Sequence, residues 1–246
     1  MNKLLPHGDD YICGLKKGFP IALGYIPVSF TFGLMAVDGG LPPLTAILIS
    51  LTNLTSAGQF AGTNLILENA GYLEIILATI VINIRYMLMS LSLSQKIEPG
   101  ATSLQRLIFG FGITDETFSI ASLENGKLSY SYMTGIITGP VLGWTFGTAL
   151  GAFISSALPP LIGNAMGIAL YAMFIAIIIP PAKKSLAVLS IVLIAVAINI
   201  TLKYVPWFNF ISSGFRIVIA AVLGAGTGAV LWPVKDETAV DKGEVS

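Results

Sequence analysis

The sequence has little charge and few of the side chains that enzymes use for catalysis. Charged residues make up 11% of the 246 residues, against about 25% in soluble domains. Cys13 is the only cysteine, so no internal disulfide can form, and His7 is the only histidine. The zinc-binding motif H-E-x-x-H and the phosphate-binding loop G-x-x-x-x-G-K-S/T are both missing. We therefore expect no catalytic residue, metal site, cofactor or ATP-driven step in this chain.

Long apolar segments take the place of the missing charge. Hydrophobic residues make up 54% of the chain, and residues 128–182 carry no charge at all. A helix needs about 20 mostly apolar residues to cross a bilayer. The apolar segments are roughly 18–37, 43–67, 72–95, 107–123, 130–154, 160–181, 185–203 and 214–233. The sequence therefore predicts an all-α polytopic protein of a lipid bilayer, the plasma membrane or a bacterial inner membrane. Thirteen basic residues balance thirteen acidic ones, which gives no indication of a nucleic-acid partner.

Polar ends flank one membrane domain. Residues 1–17 are polar and contain Lys3, Lys16 and Lys17, which predicts a cytoplasmic leader by the positive-inside tendency. No cleavage site of the A-x-A kind follows the first apolar segment, so we expect no cleaved signal peptide. Residues 18–234 form the membrane domain, and residues 235–246 form a charged tail without enough apolar residues to fold.

The two halves of the membrane domain resemble each other, which predicts an internal duplication of about 18–123 with about 130–234. TFG recurs at 31–33 and 145–147, LPPL at 41–44 and 158–161, and INI at 82–84 and 198–200. Glu68 and Glu74 in the first copy correspond to Lys183 and Lys184 in the second. Opposite charge favours inverted repeats with six crossings and both termini inside. In that model 43–67 and 160–181 enter the bilayer without crossing, whereas 107–123 crosses and places Lys127 outside.

The segment 43–67 is interrupted by a polar run. Its candidate binding residues are Ser56, Gly58, Gln59 and Asn64. Backbone groups in lipid must be satisfied within the protein, so this run predicts a broken or re-entrant helix whose free N–H and C=O groups face a ligand. The alternative is that the small residues only allow close helix packing.

Asn83 and Arg85 lie in the middle of the third segment. An arginine at the centre of a membrane helix costs roughly 2.5 to 3.5 kcal/mol on insertion scales, so it normally has a partner or a polar cavity. Asn83, Met87, Ser90 and Ser94 share one helical stripe, and Arg85 lies about 200° from Asn83. We expect Arg85 to serve function, with a purely structural ion pair as the alternative.

Asp115 and Glu116 are the candidate partners of this arginine. They lie in the otherwise uncharged segment 107–123, and burial there would favour the protonated form of a carboxyl group unless a cation lies nearby. Arg85 is the nearest candidate cation, so we expect it to pair with one of the two. The alternative is a helix end at the membrane surface, where acids are tolerated. Adjacent helical residues diverge by about 100°, so the two acids do not form a facing dyad.

Three motifs resemble the azaleucine-resistance (AzlC-type) family of branched-chain amino-acid exporters. They are TSAGQFA at 55–61, NIR at 83–85 and TDETF at 114–118. The resemblance extends from about residue 14 to 232, although Gly58 stands where members usually have alanine. It implies efflux of valine, leucine and isoleucine, often also methionine, together with a small AzlD-type membrane partner subunit.

These observations predict a transporter that exports branched-chain amino acids and is coupled to the proton gradient. Ser56, Gly58, Gln59, Asn64, Asn83 and Arg85 are its candidate substrate-binding residues, and Asp115 or Glu116 would carry the coupling proton. Apolar side chains such as Phe60 and Met87 would suit an aliphatic substrate. A membrane-embedded enzyme and a non-transporting scaffold subunit are the alternatives.

Overall fold

The computed structural model describes residues 7–155, 175 and 178–233, with side chains from residue 10 onward. Its named helices are α1 (His7–Asp38), α2 (Pro43–Thr52), α3 (Ser56–Leu67), α4 (Tyr72–Ser94), α5 (Ser103–Phe111), α6 (Asp115–Leu123), α7 (Tyr130–Ile154), α8 (Leu186–Tyr204) and α9 (Ser213–Leu231). The chain divides into two compact units, residues 1–173 and 174–246, which we describe separately. Most of segment 160–181 and the tail 235–246 lie outside the described residues.

Five of the described helices are long and apolar enough to cross a membrane, namely α1 from residue 10, α4, α7, α8 and α9. No strand occurs among the described residues, where the nearest feature is a single backbone bridge between Ile97 and Leu128. The predicted all-α polytopic fold is therefore confirmed.

The first unit is built on a close pair of helices, α1 and α7. Gly14 lies against the backbone of Tyr132, and Gly151 lies against the backbone of Phe30. A Cβ atom at either glycine would overlap with a carbonyl oxygen of the other helix, so glycine is what allows this approach. Contacts advance along both helices in the same order, and α1 and α7 are therefore parallel.

This orientation does not confirm the inverted repeat. The TFG motif places α1 and α7 at equivalent positions in the two proposed copies, and an inverted repeat requires equivalent helices to point in opposite directions. Here their first residues lie at the same end of the unit, which we call the Lys17 end. Their last residues lie at the other end, the Asp38 end.

Helices α2 and α3 form a hairpin that enters from the Asp38 end and returns to it. α2 follows the turn after α1, and its Ser50 lies beside Thr148 in α7. The chain breaks at residues 53–55, and α3 then brings Leu67 back to Gly39 at the end of α1. Within this unit 43–67 is therefore a hairpin that starts and finishes at one end, the geometry that entry without crossing requires.

Helix α4 runs from the Asp38 end to the Lys17 end. Near its start, Thr79 faces Gly62 of the hairpin. At its end, Leu93 is buried in a core cluster with Leu128 and Met133 of the segment that begins α7. This single long helix therefore passes both hairpins and carries Arg85 at its middle.

Helices α5 and α6 form a second hairpin, which enters from the Lys17 end. Each has nine residues, about 13.5 Å at 1.5 Å per residue, which is far short of a bilayer core of about 30 Å. The hairpin returns to its own end, where Glu124 contacts Lys17. The prediction that 107–123 crosses the membrane was therefore wrong.

The placement of Lys127 outside, opposite Lys96, was wrong for the same reason. The Lys127 ammonium lies 2.8 Å from the backbone oxygen of Gln95. The Leu128 amide donates to the Lys96 oxygen at 2.7 Å, so the loops before α5 and after α6 lie together.

The second unit contains the antiparallel helices α8 and α9. Gly224 lies against Ala195, and Gly228 lies against Ile191. α8 carries Asn199 and Thr201, the residues that correspond to Asn83 and Arg85 in the proposed duplication. The Thr201 hydroxyl donates to the Ala197 oxygen of its own helix at 2.8 Å.

Candidate functional site

The breaks of the two hairpins lie at the depth of the middle of α4. Thr55 before α3 touches Asn83, and Asp115 at the start of α6 touches Arg85. Both α3 and α6 begin at this depth, against faces of α4 about 200° apart, so the partial positive charge of each N-terminus lies beside the middle of α4. We call this region, together with Tyr25 of α1, the central site.

An ion pair joins α4 to the second hairpin. The Arg85 Nη2 atom lies 3.0 Å from Asp115 Oδ2, and both side chains are about half exposed. The expected pairing of Arg85 with one of the two acids is therefore present. Each charge offsets the cost of the other within an apolar helical protein.

Arg85 has donors that Asp115 does not use. Its Nη2 atom also lies 3.2 Å from the Tyr86 hydroxyl, and its guanidinium carbon is 5.0 Å from the Tyr86 ring centre. The Nε atom is buried and has no hydrogen-bond partner among the described residues. A buried N–H without an acceptor is costly.

Glu116 faces a different helix. Its Oε2 atom lies 2.5 Å from the hydroxyl of Tyr25 in α1, and the same hydroxyl is 2.8 Å from Thr114 Oγ1. Thr114 and Thr117 form a capping box that starts α6. Acids in the first turn of a helix are favoured by its dipole, which accounts for Asp115 and Glu116 at this position.

Asn83 closes the start of α3. Its Oδ1 atom accepts a hydrogen bond from the Thr55 hydroxyl at 2.6 Å, while Thr55 caps α3 through the Gly58 amide. A Cβ atom on Gly58 would lie 2.7 Å from Asn83 Nδ2, so glycine leaves the space that the asparagine amide occupies. Unlike α6, the first turn of α3 carries no acid.

Gln59 is fully engaged within the protein. It is 1% exposed, donates to Ser50 at 2.5 Å and accepts from the Trp144 indole at 2.9 Å. Ser50 in turn lies 2.7 Å from the Thr148 hydroxyl. The side chain therefore ties both arms of the first hairpin to α7.

Other candidates lie further from the ion pair. Ser56 is the first residue of α3 and is half-buried, whereas Asn64 lies about two turns further along and is exposed. The structure does not bring Asn64 to the central site. Phe60 is buried, with its ring edge against Phe32.

A cavity of about 460 Å³ lies beside α4 from Met87 to Ser94, on the Lys17 side of Arg85. Met87, Ser90 and Ser94 of the predicted stripe line one wall. Gly110 and Ile113 of the second hairpin line another. The surface of this cavity is mostly apolar. Ile113, in its wall, lies two residues before Asp115.

Sequence reasoning missed Tyr25 and Trp144. The rings are 5.3 Å apart, edge to face, and they connect the Glu116 contact to the Gln59 contact. Each is an aromatic residue with a hydrogen-bonding group in the middle of a long apolar helix. A buried hydroxyl or indole N–H needs a partner, and this feature of the sequence could have revealed both residues.

Spanning helices that surround two broken hairpins with a shared polar centre define an integral membrane protein. The chain belongs to the AzlC family, because the family model described as AzlC protein matches residues 20–158. Inner membrane protein YgaZ of Escherichia coli (strain K12) is 30% identical over 210 residues, which cover 82% of this chain and 85% of that protein.

Two further relatives carry less specific descriptions. An uncharacterized membrane protein of Archaeoglobus fulgidus is 32% identical over 174 residues, 69% of this chain and 75% of that protein. One of Helicobacter pylori (strain 26695) is 27% identical over 154 residues, 60% of this chain and 67% of that protein. No solved structure matches the chain significantly.

Proposed function

We propose that this protein is a transporter that exports branched-chain amino acids, and that the proton gradient drives it. The observation that carries the proposal is the central site, where a cation, two acids and two helix N-termini meet at the breaks of opposed hairpins. An amino-acid zwitterion needs partners of both signs, and this site offers both within a few residues. Broken helices at mid-membrane are a common way for transporters to bind substrates.

The substrate carboxylate would bind between α3 and Arg85. The first turn of α3 carries no acid, so its N–H groups at Ser56 and Ala57 can donate hydrogen bonds to an anion. The half-exposed side chain of Arg85 supplies the cation. Asn83 and Gly58 shape this end of the site, whereas Gln59 supports it from behind through Trp144 and Ser50.

The aliphatic part of the substrate would lie in the cavity beside α4. Met87 and Ile113, each two residues along the chain from a member of the ion pair, provide apolar walls, and burying an aliphatic side chain there is favourable at roughly 25 cal/mol per Å². Polar side chains would lose water without gaining partners. This selects valine, leucine, isoleucine or methionine over polar amino acids.

The proposal includes a small AzlD-type membrane subunit as a partner and a bacterial inner membrane as the location. The resemblance to the exporter family supports the subunit, and the name of the Escherichia coli relative supports the location. Within the proposal, Asp115 or Glu116 binds the proton that moves against the substrate.

The test is flux of radiolabelled leucine and valine in proteoliposomes that contain this chain with and without the small subunit. We expect accumulation when a pH gradient is imposed, and little competition by serine or glutamate. Arg85→Ala should abolish flux, whereas Asn64→Ala should leave it near wild type because Asn64 lies outside the site. Absence of leucine and valine flux under all these conditions would support the scaffold alternative instead.

A further inference from the structure

The two adjacent acids of the central site have chemically different partners. Asp115 contacts the guanidinium of Arg85 at 3.0 Å. Glu116 contacts the neutral hydroxyl of Tyr25 at 2.5 Å. This difference, which the sequence could not give, bears on which acid can bind and release a proton.

Asp115 is a poor proton carrier because its partner cannot become neutral. An arginine side chain stays protonated in proteins. If Asp115 bound a proton, Arg85 would lose the carboxylate that it contacts, and separating a charge from its contact partner at membrane depth is costly. The charge of Arg85 therefore favours the ionised form of Asp115.

Glu116 can be satisfied in both protonation states. When it is ionised, Tyr25 donates its one hydrogen to Oε2, and the hydroxyl of Thr114 can donate to the Tyr25 oxygen at 2.8 Å. When Glu116 is protonated, it can donate to Tyr25, and Tyr25 can donate to Thr114. Hydroxyl groups both donate and accept, so reversing these bonds leaves no group unpaired.

The surrounding charges also favour Glu116. Tyr25 of α1 contacts Glu116 directly, and the uncharged Trp144 of α7 packs against Tyr25. Asp115, the neighbour of Glu116 on α6, contacts Arg85 of α4, which in turn contacts Tyr86. Helix α3 carries no charged residue. One cation thus lies near two carboxylates, and a single proton or a substrate ammonium group would neutralise the remaining negative charge.

We propose that Glu116 binds the coupling proton and that Tyr25 is the positioning residue that exchanges hydrogen bonds with it, while Asp115 remains the permanent counter-ion of Arg85. This rests on the proposed function. It adds that the proton and the substrate ammonium group compete for Glu116, so that binding one releases the other.

The experiment compares Glu116→Gln, Asp115→Asn and Tyr25→Phe in proteoliposomes with the small subunit. Leucine exchange without a gradient reports binding, and the ratio of leucine flux with and without a pH gradient reports coupling. Glu116→Gln should exchange leucine more slowly than wild type, because the ammonium group loses a charged partner, and its leucine flux should lose all stimulation by the gradient. Tyr25→Phe, which keeps the ring against Trp144, should lose most of the stimulation by the pH gradient. Asp115→Asn should impair exchange itself, because Arg85 loses its counter-ion.

Tyr11→Phe is the matched control, because Tyr11 lies on the same helix and its hydroxyl is 3.4 Å from the neutral Thr138. It should keep wild-type stimulation. A second readout needs no gradient: leucine added to protein in weakly buffered detergent should release protons from wild type and not from Glu116→Gln.

The outcomes separate the two claims. Gradient-driven flux in Glu116→Gln overturns the assignment of the proton while the exporter function stands. Wild-type leucine exchange that ignores the gradient overturns proton coupling and this inference together. Wild-type protein that neither binds nor exchanges leucine refutes the proposed function itself.

Discussion

At the scale of the residue, Gly58 gives a sharp test of the site's packing. Gly58→Ala places a Cβ atom 2.7 Å from both polar atoms of the Asn83 amide. Overpacking of this kind costs about 1 to 3 kcal/mol, and the Thr55–Asn83 hydrogen bond would be displaced. We expect a lower thermal unfolding midpoint in detergent and reduced leucine flux.

Gly62→Ala is the control for this change, one turn along the same helix. The nearest atom to a Cβ there is Thr79 Oγ1 at 3.5 Å, an ordinary contact. It should unfold at the wild-type temperature or above, because alanine favours a helix by about 1 kcal/mol over glycine. Equal midpoints for the two alanine variants would show that the Asn83 amide moves freely.

The residues show which parts of the site sequence could predict. Opposite charges in an apolar domain stabilise each other, so the pairing of Arg85 with one of Asp115 and Glu116 followed from the cost of an unpaired charge. The Tyr25–Glu116 contact joins residues 91 positions apart and depends on where α1 lies against α6. A tyrosine in a membrane helix is usually read as an anchor at the membrane surface, which is why its role was missed.

At the scale of the element, the helix break was predicted in the first hairpin and missed in the second. The polar run in 43–67 predicted a break because many of its residues are small or polar. In 107–123 the break lies at residues 112–114, between two short helices. Two capping boxes, at Thr102 with Gln105 and at Thr114 with Thr117, mark two helix starts and could have revealed it.

The second hairpin is fixed at the Lys17 end by Glu124. Hydrogen bonds from Lys17 and from Tyr132, at 2.6 Å for the latter, lower the pKa of the Glu124 carboxyl below its ordinary value of 4.5. A lowered folded-state pKa means that the stabilisation is present above pH 4.5 and is lost as the pH falls further.

We therefore expect wild-type protein to lose thermal stability in detergent between pH 5 and pH 3 in part through this group. Glu124→Gln should have a lower midpoint at pH 7 and a smaller loss on acidification. The effect should be smaller than that of Gly58→Ala, since the carboxyl is partly exposed and solvent screens it. Glu98→Gln, in the neighbouring loop, should keep the wild-type pH dependence. If Glu124→Gln lost as much thermal stability on acidification as wild type, Glu124 would not contribute to the pH dependence.

At the scale of the whole molecule, the parallel pairing of α1 with α7 changes what the repeated motifs mean. Motifs such as TFG can recur because both helices need small residues where they meet: Gly33 lies against Thr148, and Gly147 lies against Ser29. The hairpins supply the opposed arrangement that the inverted model sought, one entering from each end. The sign reversal between Glu68 and Lys183 therefore did not establish an inverted repeat.

The fold also places the charges of the first unit unevenly. All its described lysines and arginines outside the central site lie at the Lys17 end: Lys16, Lys17, Lys96, Arg106 and Lys127. The Asp38 end carries Asp38, Glu68 and Glu74. Basic residues collect on the cytoplasmic side, so we predict that the Lys17 end is cytoplasmic and the Asp38 end is outside.

Single cysteines in a Cys13→Ala background test this orientation. Pro99→Cys and Asn125→Cys lie in the paired loops of the Lys17 end, and Gly71→Cys lies at the Asp38 end where a side chain meets nothing within 4 Å. An impermeant thiol reagent added to intact cells should label position 71 alone, and positions 99 and 125 should react together once the membrane is opened. If 107–123 crossed the bilayer, 99 and 125 would lie on opposite sides and only one would need permeabilisation. Labelling of 125 without 99 in intact cells would therefore restore the crossing helix, because a hairpin that returns to its own end cannot separate the two positions.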